Sequence, residues 1–363
     1  MIKWIHSLLM TLLMAAVLSA CDVHEFPDTP EEPAYDRKCV LRLRFDNADF
    51  DYLETVSSET RGHLGSTLRD LRVTVCLYSA ESGIQHPSRE PDGGPVEIFS
   101  ATFSDDGTHP EVDVPLNIQA GEYRVLAWAD HVEKGSAYDL YYTASDLMEI
   151  RIPGAGSQGY THKGNDSYRE AWRGTTTIAV DSDGRITSSA RDADEGPAVI
   201  LIDMERPLAR YHFITNDLRK FMESETRRLT ETGDDRQSPD TDDYRVVMRY
   251  TGYMNCAYNV LTDKPMDSAT GIAYEGRIMR LDDDRAELAF DHVFTGPQPT
   301  SVQVAMELYR RSDGRRLSST GVIDVPLRRG RYTLVEGPML TTDAGASTGI
   351  NPDFFGDFNI EIH

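Results

Sequence analysis

Cysteine is scarce in this chain, and long apolar runs are absent after its first twenty residues. Four cysteines are spread over 363 residues, at positions 21, 39, 76 and 256. So few thiols exclude a small scaffold held together by disulfides. The lack of a later apolar run of about 20 residues excludes a membrane-spanning helix after residue 20.

Positive charge is also in short supply. Lysine and arginine number 37 against 60 aspartate and glutamate residues, which gives a formal net charge of −23. A surface this acidic repels phosphate backbones. We therefore expect no nucleic-acid partner.

The motifs of common enzymes and metal sites are missing as well. The sequence contains neither H-E-x-x-H nor G-x-S-x-G, and its 10 histidines are dispersed. Residues 154–159 match the spacing G-x-G-x-x-G, but the residues after them do not begin the helix that a dinucleotide site requires. These absences predict a protein that is not an enzyme and that holds no cofactor and no metal.

The first twenty residues have the features of an export signal. Lys3 supplies a positive charge, and residues 8–18 form an apolar run that is too short to span a membrane. The run ends in LSAC at residues 18–21, the pattern at which bacterial lipoproteins are cleaved and lipidated. We predict a signal peptide over residues 1–20 and a lipid on Cys21. In the alternative, Cys21 merely follows an ordinary cleavage site.

Changes of pattern divide the rest of the chain. Residues 21–36 are rich in proline and acid, which predicts an extended tether. Residues 37–196 and 197–363 predict two β-sandwich domains, because short alternating runs are separated by turn residues throughout. Residues 39–45 (CVLRLRF) are typical, with apolar side chains on one face and arginines on the other. Residues 140–152 are expected to form another strand.

One short helix is predicted in the second domain. Residues 215–229 place apolar side chains near one face, at positions 218, 221, 222 and 229. Asn216 is the expected N-cap. The predicted fold class is therefore all-β, with this helix as the exception.

Both halves contain Gly-x-Tyr before an apolar run, at Gly121 and at Gly330. Two related β-sandwiches would explain the repeat, and chance is the alternative.

Several motifs together resemble the fimbrillin superfamily of Bacteroidales, and most closely its minor fimbrial anchor lipoproteins and related lipoproteins. They are the lipidation motif, GEYRVLAWAD at 121–130, ERPLAR at 205–210, GINPDF at 349–354 and GDF at 356–358. The resemblance implies two transthyretin-like β-sandwich domains in tandem and attachment to the outer membrane through the lipid on Cys21. It also implies exposure at the cell surface, fimbrillin subunits as partners, and a role in fimbriae that support adhesion.

The resemblance also points to a processing site. In polymerising members of the superfamily an arginine-specific protease removes the first strand, and the exposed groove accepts a strand from the next subunit. Anchor members keep that strand and stay lipidated. Arg61, in a segment rich in Ser, Thr and Gly, is a better cleavage candidate than Arg69. Because an arginine in a loop is usually only a solvated side chain, the choice between shaft subunit and anchor stays open.

The last segment, residues 357–363, alternates apolar and polar side chains. The favoured interpretation is the final strand of its own sandwich. The alternative is a strand that is donated to a neighbouring subunit.

A second function is a surface lipoprotein that binds glycans or host proteins without forming fibres. An exposed patch holding Trp128 or Trp172 would favour it, although a large aromatic on an alternating strand is usually core. Buried free thiols are the expectation for Cys39, Cys76 and Cys256, and a bond between the first two stays open.

Overall fold

A computed structural model describes residues 38–45, 69–79, 94–104, 111–136, 138–183, 185–186, 198–233, 238–342 and 359–363. Within these ranges the chain forms nineteen strands and one α-helix. The predicted all-β fold class with a single short helix is confirmed. No helix in the described ranges is long and apolar enough to cross a membrane.

The elements follow one another in chain order. The strands are β1 (Lys38–Phe45), β2 (Arg69–Ser79), β3 (Glu97–Ser104), β4 (Glu111–Asn117), β5 (Gly121–Glu133), β6 (Ile150–Arg151), β7 (Ala171–Val180), β8 (Ala198–Met204), β9 (Leu208–Thr215), β10 (Tyr244–Tyr250), β11 (Met254–Asn259), β12 (Lys264–Ala269), β13 (Ala273–Gly276), β14 (Met279–Arg280), β15 (Ala286–Phe294), β16 (Thr300–Arg310), β17 (Arg316–Leu327), β18 (Tyr332–Gly337) and β19 (Asn359–Ile362). The helix is α1 (Leu218–Thr232), and 3-10 turns lie at Ser167–Arg169 and Thr241–Asp243.

Two sheets form the N-terminal sandwich. One has the strand order β4-β1-β8 and the other the order β3-β2-β5-β7. Strand β4 alternates strictly between exposed and buried residues, because one face packs on the core and the other meets water. The apolar faces of the two sheets meet in one core, in which Leu41 of β1 and Val75 of β2 are fully buried.

The C-terminal sandwich repeats this plan. Its sheets have the orders β14-β15-β9-β18-β19 and β13-β10-β16-β17. Strand β9 is antiparallel to β15 and parallel to β18, as β1 is antiparallel to β4 and parallel to β8. The two sandwiches are therefore related in topology, as predicted. The Gly-x-Tyr repeat is not their signature, because Gly121 begins β5 whereas Gly330 precedes β18, which holds a different position.

The two sandwiches share buried surface. Trp128 of β5 has its ring centroid 5.6 Å from that of Tyr142 and 6.5 Å from that of Phe294 in β15. Strand β6 lies in the chain between β5 and β7, yet it pairs with β11 in a sheet of order β12-β11-β6. The outer face of the β2–β5 pair is thus buried in the core of the C-terminal half.

The division of the chain into domains near residue 196 stays a prediction. Strand β8 comes after that point but pairs with β1 in the N-terminal sandwich. The next strand, β9, belongs to the C-terminal sandwich. The sheets therefore change over between Met204 and Leu208, and a domain boundary would lie there.

The helix begins later than predicted. Strand β9 continues to Thr215, and Asp217 takes the N-cap position that was expected for Asn216. The Asp217 carboxylate caps no helical amide; it accepts the backbone N–H groups of Leu340 at 3.1 Å and Thr341 at 2.8 Å. The start of the helix is therefore set by a tertiary contact. Its buried face does include Leu218, Phe221 and Leu229, as predicted.

The strand predicted over residues 140–152 is wrong except at its end. Only Ile150–Arg151 is paired as a strand, and the rest consists of turns and isolated contacts. Tyr141, Tyr142 and Leu147 are buried one by one against the neighbouring sheets. The apolar side chains in this segment therefore reflect burial at separate positions and not the alternation of a strand.

The close approach of β7 to β8 generates a test of the N-terminal sandwich. A Cβ atom on Gly174 would lie 2.6 Å from Cγ2 of Ile202 and 2.7 Å from Sδ of Met204. We expect Gly174→Ala to lower the free energy of unfolding by about 1–3 kcal/mol through overpacking. Gly94→Ala is the matched control, since nothing lies within 4 Å of that position. Chemical denaturation of both variants checks this, and equal stabilities would contradict the packing described.

Candidate functional site

Strand β1 is the central strand of its sheet. It forms seven residue pairs with β4, from Lys38↔Asn117 to Arg44↔Glu111, and is joined on its other edge to β8. The inward side chains Leu41 and Leu43 are completely buried. Both strand partners of β1, which are β4 and β8, come from much further along the chain.

Ion pairs on the outer face fix the register of β1. Arg42 donates from Nε and Nη2 to the two carboxylate oxygens of Asp113 on β4, at 2.7 and 2.8 Å. Arg44 donates from Nε to Asp203 on β8 at 2.9 Å. These pairs are solvent-exposed, so they specify alignment more than they stabilise the fold.

The position of β1 between β4 and β8 determines what its loss would expose. A gap one strand wide would open between β4 and β8, with unpaired backbone groups along both sides and an apolar floor. An extended peptide with alternating apolar side chains is the ligand that such a gap accepts. The gap between β4 and β8 that β1 fills is the candidate functional site, and we call it the β1 groove.

The last strand lies in its own sandwich, as the favoured interpretation predicted. Strand β19 forms four antiparallel pairs with β18, from Thr333↔Ile362 to Glu336↔Asn359. The ring of His363 stacks on Tyr332 with a centroid distance of 5.0 Å. Three of the four residues of β19 are exposed. The strand is thus a short and lightly covered edge.

A buried polar cluster that no sequence motif indicated lies between the two halves of the chain. Asp291 of β15 contacts His162 Nε2 at 2.6 Å, accepts a hydrogen bond from the Tyr250 hydroxyl at 2.7 Å, and is ion-paired with Arg169. The Tyr160 hydroxyl contacts the other ring nitrogen of His162 at 2.8 Å. The cluster was missed because its members come from distant segments with no regular spacing.

The electrostatics of this cluster are those of a structural contact. Burial raises the pKa of the Asp291 carboxyl, but Arg169 and His162 outweigh it and hold that pKa below its ordinary value. Burial lowers the pKa of His162. The side chains of His162 and Asp291 are both fully enclosed. A substrate therefore cannot reach either group, and the cluster ties residues 160–169 to the C-terminal sandwich.

The residues predicted from sequence fall in different places. Cys21 and Arg61 lie outside the described residues. Arg69 is the first residue of β2, is paired with Glu133, and donates to the Tyr141 hydroxyl at 3.3 Å. The backbone around Arg69 and Asp70 is already paired with β5, and a protease must bind an extended substrate through such backbone groups, so Arg69 is a poor cleavage site.

The two tryptophans and three cysteines that the structure describes are buried. Trp128 is 0% exposed and Trp172 is 8% exposed, so neither contributes to a surface patch for sugars. Cys39, Cys76 and Cys256 are free and buried, which answers the question left open about a bond between the first two. In the part of the chain that the structure describes, no three His, Cys, Asp or Glu side chains are grouped to hold a metal ion.

Three buried histidines generate a test by pH. Burial lowers the pKa of His162, His212 and His292, and the neighbouring Arg210 adds to this effect at the last two. Below about pH 6.5 the unfolded chain takes up protons that the folded chain refuses, so stability falls as the pH falls. We expect the free energy of unfolding to drop between about pH 7.5 and pH 5.5, by up to about 1.4 kcal/mol per pH unit for each histidine.

Denaturant titrations at several pH values measure this slope. His292→Gln removes one of the three groups and should give a shallower slope. A free energy of unfolding that stays constant over this range would show that the rings are protonated equally in both states.

Comparisons with known proteins identify the family to which this chain belongs. No curated protein matches the chain. Solved structures with similarity include a candidate cell adhesion protein of Bacteroides eggerthii (11% identity, 90% of this chain and 95% of that chain, TM-score 0.43). They also include the fimbrial anchor protein Mfa2 of Porphyromonas gingivalis (12% identity, 90% of this chain and 97% of that chain, TM-score 0.39). A fimbrial assembly protein of Parabacteroides distasonis is similar as well (10% identity, 89% of this chain and 98% of that chain, TM-score 0.34). TM-scores below 0.5 do not establish a shared function. The model of one family matches residues 36–363, and the chain therefore belongs to that family of unknown function, DUF6562.

Proposed function

We propose that this protein is a lipid-anchored structural protein of the cell surface that anchors or builds fimbriae and so supports adhesion. The observation that carries the proposal is the central position of β1 between β4 and β8. A strand near the start of the chain that fills a groove of its own fold is the element that subunit assembly by strand addition requires. The motifs that resemble the fimbrillin superfamily support the same role.

The position of β1 relative to the predicted modification sites gives the proposal a mechanism. Both Cys21 and β1 precede Arg61 in the chain. Cleavage after Arg61 would separate the lipid from the body of the protein and would free β1 to leave its groove. An uncleaved chain keeps its lipid and a filled groove, as an anchor does. A cleaved chain has lost its lipid and offers a groove to the next subunit, as a shaft subunit does.

The filled groove sets a condition on this exchange. Leu41 and Leu43 are fully buried and would be exposed to water if β1 left alone. Burying an apolar side chain contributes about 1.5–3 kcal/mol. An incoming strand must therefore supply alternating apolar side chains to replace β1.

The lipid anchor has a direct test. We expect the wild-type chain to incorporate a labelled fatty acid and to sediment with the outer membrane, and Cys21→Ala to lose both properties. Cys39→Ala is the matched control, because Cys39 is buried in β1 and is not a site for lipid. Label on the Cys21→Ala variant would place the modification elsewhere and would contradict the proposal.

The fimbrial role is tested by purification from the native outer membrane, with mass spectrometry of the chain and of the proteins that accompany it. An intact lipidated chain with a fimbrillin identifies an anchor, and a chain that begins after Arg61 identifies a shaft subunit. Arg61→Ala should abolish any truncation, whereas Arg69→Ala should leave it unchanged. A lone lipidated monomer would refute the fimbrial role and favour the ligand-binding alternative.

A further inference from the structure

Carboxylates line both sides of the β1 groove on its solvent-facing side. On β4, Asp113 lies opposite Arg42 and Glu111 lies opposite Arg44. On β8, Asp203 lies opposite Arg44. Besides its bonds to Asp113, Arg42 lies with its Nε atom 3.6 Å from Oε2 of Glu111. Three carboxylates thus surround two arginines, and we call Glu111, Asp113 and Asp203 the acidic rim of the groove.

The acidic rim depends on β1 for its counter-charges. Within the described residues, the ion pairs of all three carboxylates are made with Arg42 and Arg44 alone. The three side chains are well exposed, so they stay charged at neutral pH. The net charge of −23 means that no surplus of positive charge on the chain offsets them. If β1 leaves, the groove keeps three carboxylates and loses both of their partners.

We propose that the acidic rim selects the strand that replaces β1. The selected strand belongs to a different subunit and carries apolar side chains that point inward and lysine or arginine side chains that point outward. Oppositely charged side chains on neighbouring strands stabilise a sheet, whereas like charges destabilise it. Selection of this kind rests on the proposed function, because it concerns the strand that enters the groove after β1 leaves, and it adds the chemistry of that partner.

The last strand of this chain does not fit the acidic rim. The groove has four inward positions, which are those of Cys39, Leu41, Leu43 and Phe45. Residues 357–363 (DFNIEIH) offer three apolar side chains at alternate positions. A strand that runs in the direction of β1 can seat all three in two registers. Glu361 then takes the place of Arg42 in one register and of Arg44 in the other, so like charges meet in both.

The acidic rim therefore opposes polymerisation of this chain through its own last strand. A strand donated by another copy would bring Glu361 beside carboxylates that have no counter-charge. A segment with outward lysine or arginine would restore the ion pairs that β1 makes. Specificity then comes from repulsion of the wrong strand as much as from attraction of the right one.

Displacement of β1 from a cut chain tests this selection. A recognition sequence for a specific protease, placed at residues 59–62, lets the purified full chain be cut there while both pieces stay together. In a chain made without lipid, Cys21 takes a fluorescent thiol label, because the other three cysteines are buried. Release of the labelled piece is measured as unlabelled peptides are added.

Two peptides that differ at one residue give the sharpest comparison. One has the sequence of residues 357–363, and the other is the same peptide with E361R. We expect the E361R peptide to release β1 at an about three- to tenfold lower concentration in low salt, and the difference to shrink in high salt. A peptide of residues 38–45 (KCVLRLRF) is the positive control, and its form with R42E and R44E should release β1 poorly.

The outcomes separate this selection from the proposed function. Equal release by the two peptides of residues 357–363 in low salt would overturn the selection and leave strand exchange in place. If no peptide releases β1, the strand exchange of the proposed function fails. The intact chain then decides whether the acidic rim selects by charge.

Charge reversal in the intact chain needs no exchange. We expect Arg42→Glu with Arg44→Glu to lower the midpoint of chemical denaturation more than Arg42→Gln with Arg44→Gln does, because only the reversal adds repulsion. Adding Asp113→Arg and Asp203→Arg to the reversed chain should raise the midpoint again. A reversed chain that is as stable as the glutamine variant would overturn the proposal.

Discussion

The parallel pairing of β1 with β8 is the constraint on which the N-terminal sandwich depends. It joins Cys39 to Ala198 across most of that half of the chain. Such a distant contact closes a long loop, and closing a long loop costs conformational entropy. Until β1 is seated, β4 and β8 both present open edges.

The C-terminal sandwich is held by a different kind of interaction. Asp291 sits on β15 and binds Arg169 and His162, which come from the long connection between β5 and β7. Burying these charges is costly, and removing one partner leaves another charge unpaired. The cluster therefore specifies one arrangement of the connection against the sheet. Together with Trp128 it makes the two sandwiches share a buried boundary.

How far the sequence predicted this structure depended on where each residue is buried. Strands with one wet face, such as β1 and β4, were predictable because their alternation is a direct record of burial. Residues 140–152 were misjudged, since their aromatic side chains are buried individually without a pleat. The helix start failed because Asp217 binds a segment more than a hundred residues away. The polar cluster around Asp291 could not be predicted, because only the fold brings its members together. The lipid on Cys21 and cleavage at Arg61 stay predictions.

The parallel direction of β1 and β8 has a mechanical consequence. If Cys21 carries a lipid, as proposed, a pull on that lipid would enter β1 at its N-terminal end, near Lys38. A pull from the C-terminal sandwich leaves β8 at its opposite end, after Met204. The two forces slide the strands along each other, so all the residue pairs from Cys39↔Ala198 to Phe45↔Met204 are loaded together and none is peeled open first. A chain held through its N-terminal side in this way would thus be loaded in shear at β1, the geometry in which paired strands resist force best.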